Sequence, residues 1–366
     1  MKKILIITMV LLLIVGFAAC KGDKAENTPE PTAATGTKNP SSTPSETQEA
    51  TSIPGVSETP TEEPTPEPPK EKVFVLPDES IRPWAVSIDN QGDKPFPQGG
   101  LADAQVIYEL PVEGGLSRYL ALFWEANVDL IGPVRSARDY MLDCFVPYDA
   151  ILVHVGGSPQ ALSDIRDNSN IDYLNAMINA GSIFEELTDD PKNWQDTYTT
   201  GEKVGDFVSS KGIDETTDVK VLPEYNDVLT VPSDGLDANI VNITYNDDSR
   251  CAYIYDKEKM VYYRNRNGTS HIDRNTDKPF SVANIIVQKV DSRVITGDTE
   301  GRLEVEMVGS GTGYFVTGGK SIEITWEKAE RFGATKYYDH DGKEIVLNPG
   351  NTWIQVTIAS TMILIL

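Results

Sequence analysis

Apolar positions change their spacing along this chain, and each change predicts a different kind of element. An unbroken apolar run from Ile4 to Val15 follows Lys2 and Lys3. At about 12 residues it is shorter than the ~20 that span a bilayer, and with Gly16, Ala18 and Ala19 after it residues 1–19 read as a signal peptide. Residues 20–72 turn to Pro, Thr, Ser and Glu with almost no large apolar side chains, as in SETPTEEPTPEPPKEK. Nothing there can build a core, so the segment reads as an unstructured tether. Its reach is roughly 40 Å as a coil and roughly 150 Å in polyproline geometry.

Beyond the tether the pattern is that of a folded protein in two halves, 73–220 and 221–360. In the first half RPWAVSIDN predicts a strand with alternating burial, and QVIYELP, SRYLALFW and AILVHV predict three more. Helical spacing of Ala137, Tyr140, Met141, Cys144 and Phe145 predicts a helix after Gly132-Pro133. A second helix follows Ser158-Pro159, an N-cap with proline at the first helical position. The second half offers VNITYN, CAYIYD, MVYYRN, NIIVQKV, LEVEMV, GYFVTG, SIEITWEK, EIVLN and TWIQVTI, short strands separated by turn residues. The fold class is therefore mixed α+β: sheets with flanking helices in a layered N-terminal domain, then a mainly antiparallel β-rich C-terminal domain. The terminal TMILIL is apolar but too short to span a membrane.

Charge narrows the partners. The chain carries a formal net charge of −24, and removal of a signal holding two lysines and no acid leaves −24 − 2 = −26. Nucleic acid is excluded as a natural ligand, and an anionic lipid surface would repel the folded part. Membrane attachment must then rest on acyl chains. The sequence before Cys20 resembles a bacterial lipobox, with Phe17 where an aliphatic residue usually stands. By that resemblance Cys20 becomes the mature N-terminus, carrying a diacylglyceryl thioether and palmitate-type chains that hold the protein on the extracytoplasmic face of the cell membrane. Cys144 and Cys251 read as two buried free thiols.

Several blocks agree in order and spacing with one family. RPWAVSIDN, GGLADAQVIYELPVEGGLSRYLALF, IGPVRSARDYMLD and ILVHVGGSP, then NIIVQ, GSGTGYFVTGGKSIEITWEK and DGKEIVLNPGNTWIQV, resemble the YerB-like lipoprotein family over nearly everything after the tether. The resemblance implies a two-part extracellular lipoprotein whose family is a domain of unknown function, with a link to cell-envelope or peptidoglycan-synthesis proteins as the expected partnership. One segment departs from the family pattern: DDPKNWQDTYTT has Lys192 after Pro191, where a Pro-His-Asn-like stretch is expected.

The candidate chemistry is sparse. Glu109 and Glu113 near Gly114-Gly115 suggest paired carboxylates, but on one strand they lie about 13 Å apart at ~3.3 Å per residue. A glycosidase needs ~5 to 9.5 Å. If Gly114-Gly115 form a two-residue hairpin loop, Arg118 falls opposite Pro111 and diagonally between the two glutamates, as a charge cluster. The GPVRSAR segment puts Arg135 and Arg138 three apart at an expected helix start, where forked guanidinium groups and exposed N–H groups suit an anion or an anionic partner. The competing expectation is ion pairing, with Arg135 reaching Asp139 one turn on. His154 and Ser158 flank Gly156-Gly157 at a strand-to-helix junction, as a nucleophile pair or as a hydrogen-bonded strand residue and a helix cap. GSGTG reads as a turn or bulge, because it lacks the helix and Lys-Ser or Lys-Thr of a phosphate loop. His154, His271 and His340 are scattered and no cysteine pair has ligand spacing, so no metal and no cofactor is expected. The balance favours a binding or scaffolding module at the envelope over an enzyme. A hydrolase acting on cell-wall material and a receptor for a small anionic solute are the alternatives.

Overall fold

The computed structural model describes residues 74–366 other than 180, 182 and 191. The signal peptide, Cys20 and the tether lie outside the described residues.

The strands of both halves meet in one eleven-stranded sheet. Its order is Lys336–Tyr338, Lys320–Lys328, Gly309–Thr317, Asn284–Lys289, Thr352–Thr357, Val106–Pro111, Ser117–Phe123, Trp84–Ile88, Ile151–His154, Tyr173–Asn175, with Leu236–Asp237 pairing beside Lys320–Lys328. The change in sequence pattern near residue 220 is therefore not a break in this sheet. Val106–Pro111 from the first half lies parallel to Thr352–Thr357 from the second, Val106 opposite Thr352 and Glu109 opposite Gln355. A smaller six-stranded sheet comes from the second half and the segment after it: Thr269–Ser270, Val261–Arg266, Ser249–Asp256, Ile240–Asn246 and Met362–Ile365, with Ser281–Val282 beside Val261–Arg266. The mixed α+β class expected from the sequence is what the chain forms.

Three layers explain the burial. Helices Asp139–Phe145 and Pro159–Asp167 cover one face of the large sheet through Met141, Leu142, Phe145, Ala161 and Ile165, packed on Leu110, Leu120 and Leu122. The small sheet covers the opposite face, where Val241, Ile243, Tyr253 and Tyr262 meet Ile107, Tyr119 and Trp353. Sheet strands covered on both faces lose their alternation. Hence every residue of Trp84–Ile88 is buried, against the alternating burial expected for RPWAVSIDN, as is every residue of Val106–Pro111, Ser117–Phe123 and Thr352–Thr357.

A further helix, Gly201–Lys211, was not expected from the sequence. Thr200 caps its start by accepting a hydrogen bond from Lys203 N, Gly212 ends it at φ +62°, and Val204 and Val208 pack it onto the large sheet's small-sheet side. Thr200 and Gly212 are standard cap signals, but only a narrow Val204/Val208 stripe lies between them. GSGTG also differs from expectation. It lies inside the Gly309–Thr317 strand, paired in register from Gly309 opposite Lys328. Its glycines are required by close approach: a Cβ on Gly311 would sit 2.6 Å from Trp326 Nε1, and one on Gly313 1.9 Å from Val287 O.

The two helices on the outer face are tied to the second half through Arg331. Its Nη2 donates to Asp164 at 2.6 Å, and its Nε lies 3.4 Å from Asp143 Oδ1. Burial pushes the Asp143 carboxyl from 3.8 up to about 7, outweighing the attraction of Arg331 and Lys328. The folded protein thus holds a proton that the unfolded chain releases between about pH 4 and 7. Stability should fall as pH rises through that window and level off above it. Asp143→Asn should flatten this fall and raise the unfolding free energy at pH 8 by about 1–3 kcal/mol, as read by urea titrations at pH 4.5 and pH 8.

Candidate functional site

Trp84–Ile88, Ile151–His154 and Tyr173–Asn175 run parallel, so their carboxyl ends open on one edge of the sheet. That edge of a parallel sheet is where loops commonly gather a ligand site. The chain leaves these strands at Asp89, at Val155-Gly156-Gly157 and at Ala176-Met177. The GPVRSAR segment is laced between the first two exits. Arg135 N donates to Ser87 O at 2.7 Å, Val155 N to Arg135 O at 3.0 Å, and Ala137 N to Gly156 O at 3.1 Å. These bonds hold the segment extended, and the helix begins only at Asp139 with Arg138 as its N-cap residue. The expected helix start at Arg135 and Arg138 is corrected accordingly, since their backbone groups are already satisfied by neighbouring strands and loops.

Three arginines converge here. Arg135, with 16 % of its side chain exposed, lies with Nε 3.1 Å from Asp89 Oδ2, without the alignment of a hydrogen bond. Its guanidinium carbon stands 4.2 Å from the centre of the Trp194 ring, and that indole is half exposed. Asp89 is fully buried, and its Oδ2 also accepts from Gln195 Nε2 at 2.9 Å. Arg135 therefore pairs with Asp89 rather than with Asp139 one turn on. Arg138 forks onto Glu113, with Nε donating to Oε2 at 3.0 Å and Nη2 to Oε1. Burial works to raise the Glu113 carboxyl, but the Arg138 hydrogen bonds and charge win and hold it below the usual carboxylate range. Arg118 is buried and donates Nη1 to Ser136 O at 2.7 Å, while its Nε makes no hydrogen bond. Burial and the nearby Arg138 and Arg135 charges lower Arg118 to about 10, against the opposing pull of Asp89 and Glu113.

Glu109 belongs elsewhere. The hairpin closes over Glu113–Gly115, with Gly114 at φ +74° and Gly115 at φ +72°, so Arg118 falls opposite Leu110 and not opposite Pro111. A one-residue shift of register moves a side chain to the other face of a sheet. Arg118 consequently joins the helix-covered side while Glu109 points at the small sheet, and the expected Glu109–Arg118–Glu113 cluster is not formed. Glu109 instead pairs with Arg264 across the two sheets at 2.6 Å, both fully buried. Ser117 Oγ at 2.7 Å, Gln355 Nε2 at 3.0 Å and Asn90 Nδ2 at 3.3 Å also donate to it. Buried so completely, this pair ties the layers together and offers nothing to a ligand.

His154 is fully buried. Its Nδ1 lies 2.6 Å from Gly156 O, its Nε2 is buried without a hydrogen-bond partner, and burial lowers its pKa against the pull of that carbonyl. Ser158 Oγ accepts from Ala161 N at 3.1 Å and caps Pro159–Asp167. No hydrogen bond joins His154 to Ser158 among the described residues. Cys144 and Cys251 are buried free thiols, each pushed up by burial.

The residues that complete the edge and escaped sequence reasoning are Asp89, Trp194 and Gln195. Asp89 ends a strand motif in which only the strand was read. Trp194 and Gln195 lie in the segment that departs from the family pattern, which marked it without assigning those two residues. The arrangement can hold an anion: a half-exposed indole, a guanidinium stacked on it, and two further guanidinium groups behind, set against two carboxylates.

Fold and site together define a mixed α+β module with a basic, aromatic-capped edge and, among the described residues, no hydrogen bond between His154 and Ser158. The chain belongs to the family described as protein of unknown function (DUF3048), matching its N-terminal domain over residues 75–214 and its C-terminal domain over 241–354. It is 32% identical over 284 residues to the protein named "Putative lipoprotein YerB" of Bacillus subtilis (strain 168), covering 75% of this chain and 81% of that one. The crystal structure of YerB protein from Bacillus subtilis superposes with a TM-score of 0.69 at 28% identity, over 78% of this chain and 94% of that one.

Proposed function

We propose that this chain is a lipid-anchored envelope module, held outside the membrane through Cys20, that binds an anionic group of a partner at the Arg118–Arg135–Arg138 edge. The relative's printed description as a lipoprotein supports the anchor, and among the described residues no helix is long and apolar enough to cross a membrane. The observation that carries the binding role is Arg135: its guanidinium is stacked on the half-exposed Trp194, with its Nε beside Asp89 but not hydrogen-bonded to it. A guanidinium poised this way can exchange a partial contact for a forked bond to carboxylate or phosphate. The partner class favoured by the address is an envelope or peptidoglycan-synthesis protein presenting a carboxylate.

Binding is favoured over hydrolysis because Ser158 Oγ serves as a helix cap and His154 is sealed from solvent. The test is titration of the protein with inorganic phosphate and with a free-carboxylate dipeptide, beside the Arg135→Ala variant and the Arg135→Ala, Arg138→Ala double variant. Removing Arg135 should weaken binding of whichever probe binds at least about tenfold, equivalent to ~1.4 kcal/mol, while the far-UV spectrum is unchanged. Full-strength binding by a folded Arg135→Ala protein would rule this site out.

A further inference from the structure

A second binding feature lies at the far end of the molecule. Met362–Ile365 is the terminal strand of the six-stranded sheet and pairs only with Ile240–Asn246 among the described residues. Leu366 and Ile240 exchange both backbone hydrogen bonds, at 2.9 and 3.0 Å. In an antiparallel ladder such pairs alternate, so Met362 and Leu364 also bond inward and the N–H and C=O groups of Ile363 and Ile365 face the open side. Native sheets usually blunt an edge with charge, proline or a cover. This one carries MILIL, and Met362, Leu364 and Leu366 are 68%, 53% and 55% exposed.

Beside this edge is a cavity of about 480 Å³ that shares a wall with it. Its lining includes Lys289, Asp291, Glu306, Thr312, Trp326 and Ile363. Asn284–Lys289 and Thr352–Thr357 are parallel and end at this cavity. Side chains directly opposite one another on paired strands project to the same face. A strand added along the open edge would therefore send the residue opposite Ile363 toward the face on which Ile363 lines the cavity. Lys289 is drawn onto Tyr314, its ammonium 4.4 Å from the ring centre; of the two carboxylates on the lining, Glu306 is paired with the exposed Arg293 at 3.3 Å and Asp291 remains to receive a cation.

We propose that the Met362–Ile365 edge binds an extended peptide by antiparallel strand addition, and that the cavity takes a lysine or arginine side chain of that peptide. The main-chain bonds supply affinity and the acidic cavity supplies selectivity. The peptide's positive charge complements both the cavity and a chain of net charge −24.

Fluorescence anisotropy with the full chain tests this, using a labelled Thr/Val-rich decapeptide with one central lysine and the same peptide with glutamate at that position. Two N-methylated forms of the lysine peptide are added, methylated on one or the other alternate set of amides. The lysine peptide should bind at least tenfold tighter than the glutamate peptide. One methylated form should lose binding at least tenfold and the other retain it, because only alternate amides face the edge. The Asp291→Asn, Glu306→Gln variant, away from the buried core, should bring the two peptides to within threefold of each other. Equal binding of lysine and glutamate peptides, equal effects of both methylation patterns, or sedimentation as a dimer closed through this edge would each overturn the proposal. None of these outcomes bears on Arg135, so the two sites stand or fall separately.

Discussion

Replacing Arg264 with methionine is expected to lower the unfolding free energy by about 3–5 kcal/mol. The arginine is fully buried and satisfies Glu109 at 2.6 Å, Tyr253 through Nε at 3.2 Å, and the Nδ1 of His271. His271 Nε2 in turn meets Gln98 Oε1 at 2.8 Å, which fits a neutral ring carrying its proton on Nε2. Burial and the Arg264 and Arg266 charges hold His271 well below its ordinary pKa, so in the native protein Arg264 is the cation that faces Glu109. Methionine would leave the Glu109 carboxylate in the interior with only neutral donors. The double variant Glu109→Gln, Arg264→Met removes both charges and should recover most of the loss, because the cost lies in an unpaired charge more than in a missing attraction. Urea titrations of the two variants read this directly. A single variant that loses under about 1 kcal/mol would mean that the neutral donors alone stabilise Glu109, contrary to the usual cost of orphaning a buried charge.

Trp353→Ala is expected to cost about 3–5 kcal/mol as well, for a different reason. Trp353 is among the largest fully buried side chains. Its ring packs edge-on against Tyr119 at 5.5 Å and lies 4.4 Å from the Arg264 guanidinium carbon. Alanine would leave a cavity between two sheets whose backbones are fixed by their ladders and cannot close over it. Because Trp353 and Arg264 touch, their losses should not add: the Arg264→Met, Trp353→Ala protein should differ from the sum of the single changes by at least about 0.5 kcal/mol. Additivity within error would mean that the stacked contact contributes nothing.

How much of this was legible follows from where each signal resides. The strands of the first half and the Ser158-Pro159 helix are specified by local pattern, and the chain forms them. The Glu109–Arg118 relation failed on a single residue of loop length, since Gly114-Gly115 read as a two-residue turn while the hairpin closes over Glu113 too. Nothing local distinguishes these, yet the difference decides which face Arg118 occupies. The Arg135 and Arg138 segment lies beside Asp89, Glu113 and Arg118, but it is extended rather than the helix start its sequence suggests. Its hydrogen bonds go to Ser87, Gly156 and Thr197, positions that only the folded topology brings near. The Glu109–Arg264 pair is of the same kind: its members lie 155 residues apart, and each alone looks like an ordinary strand charge.

The parallel pairing of Val106–Pro111 with Thr352–Thr357 also sets an order of events. Glu109 and Gln355, in contact across it, are 246 residues apart, so the centre of the large sheet is completed by a segment made long after the strand it pairs with. Until Thr352–Thr357 arrives, Val106–Pro111 and Asn284–Lys289 each present an apolar strand edge with no neighbour. Long-range parallel pairing is intrinsically slow. A nascent chain of this protein therefore keeps its middle open until residue 357 has been made, and a ribosome that stops between Lys289 and Thr352 releases a product with two adhesive edges at its heart.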